Sequence, residues 1–141
     1  MAAEPVLYLL RGDDSTRFRE LVAGFKEALG DPDMAELNTS LLDGEALNMD
    51  SLSADAMAMP FLAPRRLVII ENARAFLAKQ AKTNKERILK LFTELPETTQ
   101  LLLFVDDQVI KRSGKAAWEN AKSYDWVLEW INENPSRAQV M

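Results

Sequence analysis

Residues 6–21 read VLYLLRGDDSTRFREL: an unbroken apolar run, one glycine, two aspartates and the start of an amphipathic segment. Alternate side chains of a strand point to opposite faces of a sheet, so a run apolar at every position belongs to a strand covered on both sides. From Phe18 the apolar residues recur at Leu21, Val22, Phe25 and Leu29, one stripe of a helix. Asp14 or Ser15 can cap that helix, and Gly30 with Pro32 stops it. Strand, glycine turn and helix form the junction that cradles a phosphate in many α/β proteins. Here acids stand where the anion would sit.

The same alternation continues along the chain. Strands are expected at Glu36–Leu42, at RRLVIIENA (65–73), at TQLLLFVDD (99–107) and at Tyr124–Glu129. Helices are expected over MDSLSADAMAM (49–59), with Asp50 as cap, and over TNKERILKLFTELP (83–96), with Asn84 as cap and Ile88, Leu91, Phe92 and Leu95 inward. Lys115–Ala121 reads as a brief helix, and Ala73–Thr83 as a mobile loop or frayed helix. Strands apolar on both faces, alternating with helices, imply an α/β three-layer sandwich around a five-stranded parallel sheet. Right-handed crossovers bring all strand C-terminal ends to one edge, where such folds bind ligands. That edge collects Gly12–Ser15, Asp43-Gly44, Glu71-Asn72 and Asp106-Asp107.

Composition narrows the chemistry. The 141 residues are 48% hydrophobic and 28% charged, as expected of one globular domain. No cysteine means no disulfide or thiolate metal site, and no histidine removes the commonest general base and zinc ligand. No apolar run reaches the length of a membrane span, and MAAEPVLYLL lacks the basic start and small-residue cleavage site of a signal peptide. A cytoplasmic protein is the expectation. Net charge is −5, against a general nucleic-acid binder, although residues 1–63 carry −8 and residues 64–141 carry +3. That asymmetry reads as solvated surface.

Tested for phosphate chemistry, the edge fails. A P-loop follows GxxxxGK[ST], whereas RGDDST has one glycine and no lysine, and Asp13 and Asp14 already neutralise the helix end. LLLFVDD looks like the magnesium-holding strand of an ATPase, but without a P-loop its acids are expected merely to face water. A receiver-type phosphoacceptor would require an aspartate where Glu71 stands, a hydroxyl where Asp106 stands and a lysine after the fifth strand. The RGD at Arg11–Asp13 closes a buried strand and is discounted as an adhesion signal.

One stretch is left over. In AMPFLAPRRLVII (58–70), Phe61 and Leu62 lie between Pro60 and Pro64, outside helix and strand. They read either as partner anchors preorganised by proline or as side chains folded back over the core. Residue chemistry leaves both open.

Together, YLLRGDDSTRFRE (8–20), MPFLAPRRLVIIENA (59–73) and QLLLFVDD (100–107) resemble, in order and spacing, the N-terminal domain of the delta subunit of bacterial DNA polymerase III. The resemblance implies a P-loop NTPase/AAA+-like fold without a functional nucleotide site. Gly12, Asp13 and Asp14 then occupy a degenerate P-loop position. It further implies a clamp loader subunit that binds the sliding clamp, the beta subunit, through an apolar wedge and promotes ring opening. On this sequence the wedge is Phe61 and Leu62, supported by Met59. The family more often has leucine before phenylalanine, which leaves the deeper-seated side chain undetermined. No catalytic residue, metal or cofactor is expected, and the other partners implied are clamp-loader subunits, with DNA met only within the complex and no membrane. Delta chains continue into lid and collar domains, so residues 1–141 are expected to be the first domain alone. The rival classes are a degenerate receiver-like signalling domain and a P-loop NTPase with an unusual site.

Overall fold

The computed structural model describes residues 4–141. Strand β1 (Leu7–Gly12) leads into helix α1 (Ser15–Ala28), a short α2 (Pro32–Leu37) and β2 (Thr39–Asp43). Helix α3 (Met49–Ala56) precedes β3 (Arg66–Glu71), and α4 (Ala73–Ala78) and α5 (Lys82–Glu94) precede β4 (Thr99–Asp106). A hairpin of β5 (Val109–Arg112) and β6 (Lys115–Trp118), a 3-10 turn at Ala121–Ser123, α6 (Asp125–Glu133) and β7 (Ala138–Val140) complete the chain. The main sheet runs β2-β3-β4-β1-β7 and every pairing in it is parallel.

The unbroken apolar runs are buried on both faces, as their sequence demands. Leu7, Leu9, Val68, Ile70, Leu101 and Leu103 pack in one core with Leu52, Phe76, Leu77, Ile88, Phe92, Val127 and Trp130 from α3 to α6. The intervening Tyr8, Leu10, Leu67, Ile69 and Leu102 face α1 and α2 through Phe18, Leu29 and Ala35. Four helices thus cover one face and two the other.

Four local expectations are corrected. The fifth sheet strand is β7, paired with β1, and not Tyr124–Glu129, which enters α6. Tyr124, Val127, Trp130 and Ile131 are the buried positions there, a helical period that the aromatic content disguised. Lys115–Ala121 is strand β6 and the start of the 3-10 turn, because Ser113 (φ 52°) and Gly114 (φ 78°) reverse the chain with the two left-handed residues of a tight hairpin. Glu36 and Leu37 end α2 rather than begin a strand: Asp31 caps that helix and Pro32 opens it. Ala73–Ala78 is an ordered helix anchored by buried Phe76 and Leu77. Two caps also move. Asn48 rather than Asp50 caps α3, and α5 begins after Ala81 without a side-chain cap, so Asn84 lies inside it.

Candidate functional site

The turn between α3 and β3 is fixed at both ends by hydrogen bonds and an ion pair to other parts of the chain. At its entry, the Arg66 guanidinium donates from Nε to the Asp55 carbonyl at 3.0 Å and from Nη2 to Asp55 Oδ1 at 3.0 Å. Thr99 Oγ1 donates to the Ala56 carbonyl at 2.9 Å, so the last carbonyls of α3 are held by two strands. At its exit, the Arg66 N–H donates to the Thr98 carbonyl at 2.7 Å, while the Arg65 guanidinium pairs with Glu4. Pro60 and Pro64 stiffen what lies between.

On that turn Met59 is 70% exposed, Phe61 60% and Leu62 77%. The structure thus brings the three sequence-selected apolar residues together and leaves them in solvent rather than over the core. Leu62 adopts φ 53°, a left-handed conformation that costs a non-glycine residue of order 1 kcal/mol. Something must hold it there.

A residue absent from the sequence reading contributes to that hold. Asn38, only 1% exposed, receives the Phe61 N–H on its Oδ1 at 2.6 Å and donates Nδ2 to the Phe61 carbonyl at 2.8 Å. The same Nδ2 donates to the Met34 carbonyl at the end of α2, also at 2.8 Å. Its own carbonyl accepts from the Leu67 N–H. An asparagine between Leu37 and Thr39 carries no sequence signal of this, since its partner lies 23 positions away.

The β1–α1 junction lies at the opposite edge of the sheet, because the turn feeds the N-terminal end of β3 whereas the junction leaves the C-terminal end of β1. Gly12 has φ 149°. The Asp14 carboxylate accepts the N–H groups of Thr16 at 3.0 Å and Arg17 at 3.1 Å, so a side chain occupies the donors a phosphate would use. Asp13 is exposed beside it.

Asp106 faces water as expected, but Asp107 does not: it is 3% exposed. Its carboxylate accepts from the Gln108 N–H, the Asn120 N–H and side-chain amide, and the Tyr124 hydroxyl at 2.5 Å. Burial pushes the Asp107 carboxyl up, yet these four donors outweigh it and hold it below the ordinary carboxylate value. Tyr124 is pushed up to about 12, first by burial and then by its bond to Asp107. Alongside, the Arg11 guanidinium lies 4.7 Å from the centre of the Trp118 ring and ties β1 to the hairpin. Asp107 is therefore the latch that closes the hairpin and α6 onto the sheet.

The sequence profile described as DNA polymerase III, delta subunit, matches residues 8–124. A DNA polymerase III subunit delta from Bacillus subtilis is 33% identical over 79 residues, which make up 56% of this chain and 22% of that protein. Among solved structures, the Bacillus subtilis DNA clamp loader delta protein superposes with a TM-score of 0.65 at 21% identity, over 98% of this chain and 38% of its own. A gamma subunit-related protein of DNA polymerase III from Thermotoga maritima superposes at 0.55 and 16% identity, over 99% of this chain and 42% of its own. The fold is thus shared with clamp-loader proteins, and the chain spans well under two thirds of these relatives.

Proposed function

The chain belongs to the DNA polymerase III delta subunit family, and from that premise we propose that its apolar turn is the element that docks into the replication sliding clamp and favours its open ring. The observation that carries this reading is the exposure of Phe61 and Leu62, 60% and 77%, in a turn held by prolines and buried hydrogen bonds. Exposed apolar pairs gain from burial in a partner, and a turn ordered beforehand loses little entropy on docking. Met59 flanks the pair. The role is that of a non-catalytic accessory domain in DNA replication, acting in the cytoplasm with other clamp-loader subunits and carrying a nucleotide-type fold whose phosphate position is filled by Asp14. No helix among the described residues is long and apolar enough to cross a membrane.

The test is the Phe61→Ser/Leu62→Ser double variant, followed by a thermal melt and a titration with a bacterial sliding clamp. The expected result is a melt close to that of the parent chain with clamp binding lost. A destabilised variant that still binds the clamp would sink the assignment.

A further inference from the structure

We infer that Asn38 is the positioning residue of the docking turn: its carboxamide, and not the apolar side chains themselves, sets the conformation in which Phe61 and Leu62 are offered. The inference rests on the clamp-docking reading above and adds to it the group that preorganises the site. The Asn38 Oδ1 takes the Phe61 N–H at 2.6 Å and Nδ2 reaches the Phe61 carbonyl at 2.8 Å, a two-bond bridge that copies a strand pairing onto one residue of a loop. Among the described residues, no main-chain N–H between 59 and 65 donates to a main-chain carbonyl, so this bridge supplies the main-chain tethers of the turn.

The carboxamide is itself immobile. It is buried at the junction of α2, β2 and β3, where Nδ2 also holds the Met34 carbonyl and the Asn38 carbonyl receives the Leu67 N–H. Both amide hydrogens and the amide oxygen are used. The chemistry is accordingly specific to asparagine. Aspartate would place a second acceptor against the carbonyls of Met34 and Phe61, and alanine would leave the Phe61 N–H and carbonyl without these partners. With the bridge gone, the left-handed Leu62 (φ 53°) has no reason to stay in a sparsely populated conformation, and the pair must be ordered by the partner at the moment of docking.

The experiment measures hydrogen exchange and clamp affinity on the same proteins: the parent chain, Asn38→Ala, Asn38→Asp, the Phe61→Ser/Leu62→Ser variant, and a synthetic peptide covering residues 57–65. In the parent chain the Phe61 N–H should exchange more slowly than those of Leu62 and Ala63. In the Asn38 variants that protection should vanish while the Leu101–Leu103 amides of β4 stay protected. Clamp affinity should drop about tenfold on losing the bridge, moving toward that of the unstructured peptide. A Phe61 N–H in the parent chain that exchanges as fast as its neighbours overturns the inference, even if the Asn38 variants fail to fold. Asn38 variants that bind as tightly as the parent, while the serine variant does not bind, overturn it and leave the docking reading standing. A serine variant that binds normally removes the docking reading itself.

Discussion

The two edges of the sheet spend their polar and apolar groups in opposite ways. At the C-terminal edge, where this class of fold gathers ligands, two acids are committed to the protein's own donors: Asp14 to the start of α1, and the buried Asp107 to Gln108, Asn120 and Tyr124. At the N-terminal edge a polar group, Asn38, is buried so that apolar ones, Met59, Phe61 and Leu62, can be exposed. Hydrogen bonds at the first edge close a surface. At the second they hold one open. The contrast teaches that a shared fold does not fix which edge works, since the side chains at each edge decide what it can still bind.

The sharpest way to break this contrast is to exchange the apolar pair. Phe61→Ser/Leu62→Ser should cost about 4 kcal/mol of clamp binding, near 2 for each pocket-filling anchor. Folding stability should move by no more than about 0.5 kcal/mol, since both side chains are exposed. Calorimetric titration and a denaturation curve read the two quantities separately.

Asp107→Ala probes the closed edge. Removing it leaves the Tyr124 hydroxyl and the Asn120 amide without their acceptor, and the expected loss of stability is about 2–3 kcal/mol by chemical denaturation. Clamp affinity should be unchanged, because the latch lies at the opposite edge from the turn. A large change in affinity with intact stability would mean that the two edges are coupled.

Asp14→Ala should cost roughly 0.5–2 kcal/mol, the range for a lost helix cap. Titration of the parent chain with magnesium-ATP should give no binding isotherm, and measurable affinity at this junction would reverse the assignment of the closed edge.

The mildest probe is pH. Tyr124 has its folded pKa raised to about 12 from 10.0, so the unfolded chain ionises first and stability should decline as pH rises from about 10 toward 12. Asp107 works in the other direction: its folded pKa lies below 3.8, so its contribution is present above that value and fades as pH falls beneath it. Absorbance titration of the tyrosines checks the alkaline limb. In Asp107→Asn, Tyr124 should ionise earlier, though still above its ordinary value because burial remains the larger cause.

Much of this architecture is written locally. Val6–Leu10, the LVII run of β3 and the LLLFV run of β4 announce strands with both faces covered, because a parallel sheet between helix layers leaves no side for polar groups. Phe18 to Leu29 announces α1, with Asp14 as its cap, because both features depend on neighbours within a few residues. The exposed pair was visible as apolar residues bracketed by prolines, although its exposure was not. Elsewhere the local signal misled. Tyr124–Glu129 is aromatic and β-branched enough to suggest a strand, and packing made it a helix.

The amino-acid sequence by itself determined the fold class, the capped first helix and the placement of the acids and of the apolar turn, since each follows from periodicity or side-chain chemistry over a few residues. Tertiary structure alone decided the rest. Ala138–Val140 is too short to announce a strand, and becomes one because the edge of β1 offers it unpaired donors and acceptors. Asp107 turns inward because Asn120 and Tyr124 arrive beside it. Asn38 becomes a tether because Phe61, 23 residues later, is delivered to its carboxamide. A hydrogen bond needs its partner within about 3 Å. For residues far apart in the chain, only the packing of the sheet and its helices can supply that distance.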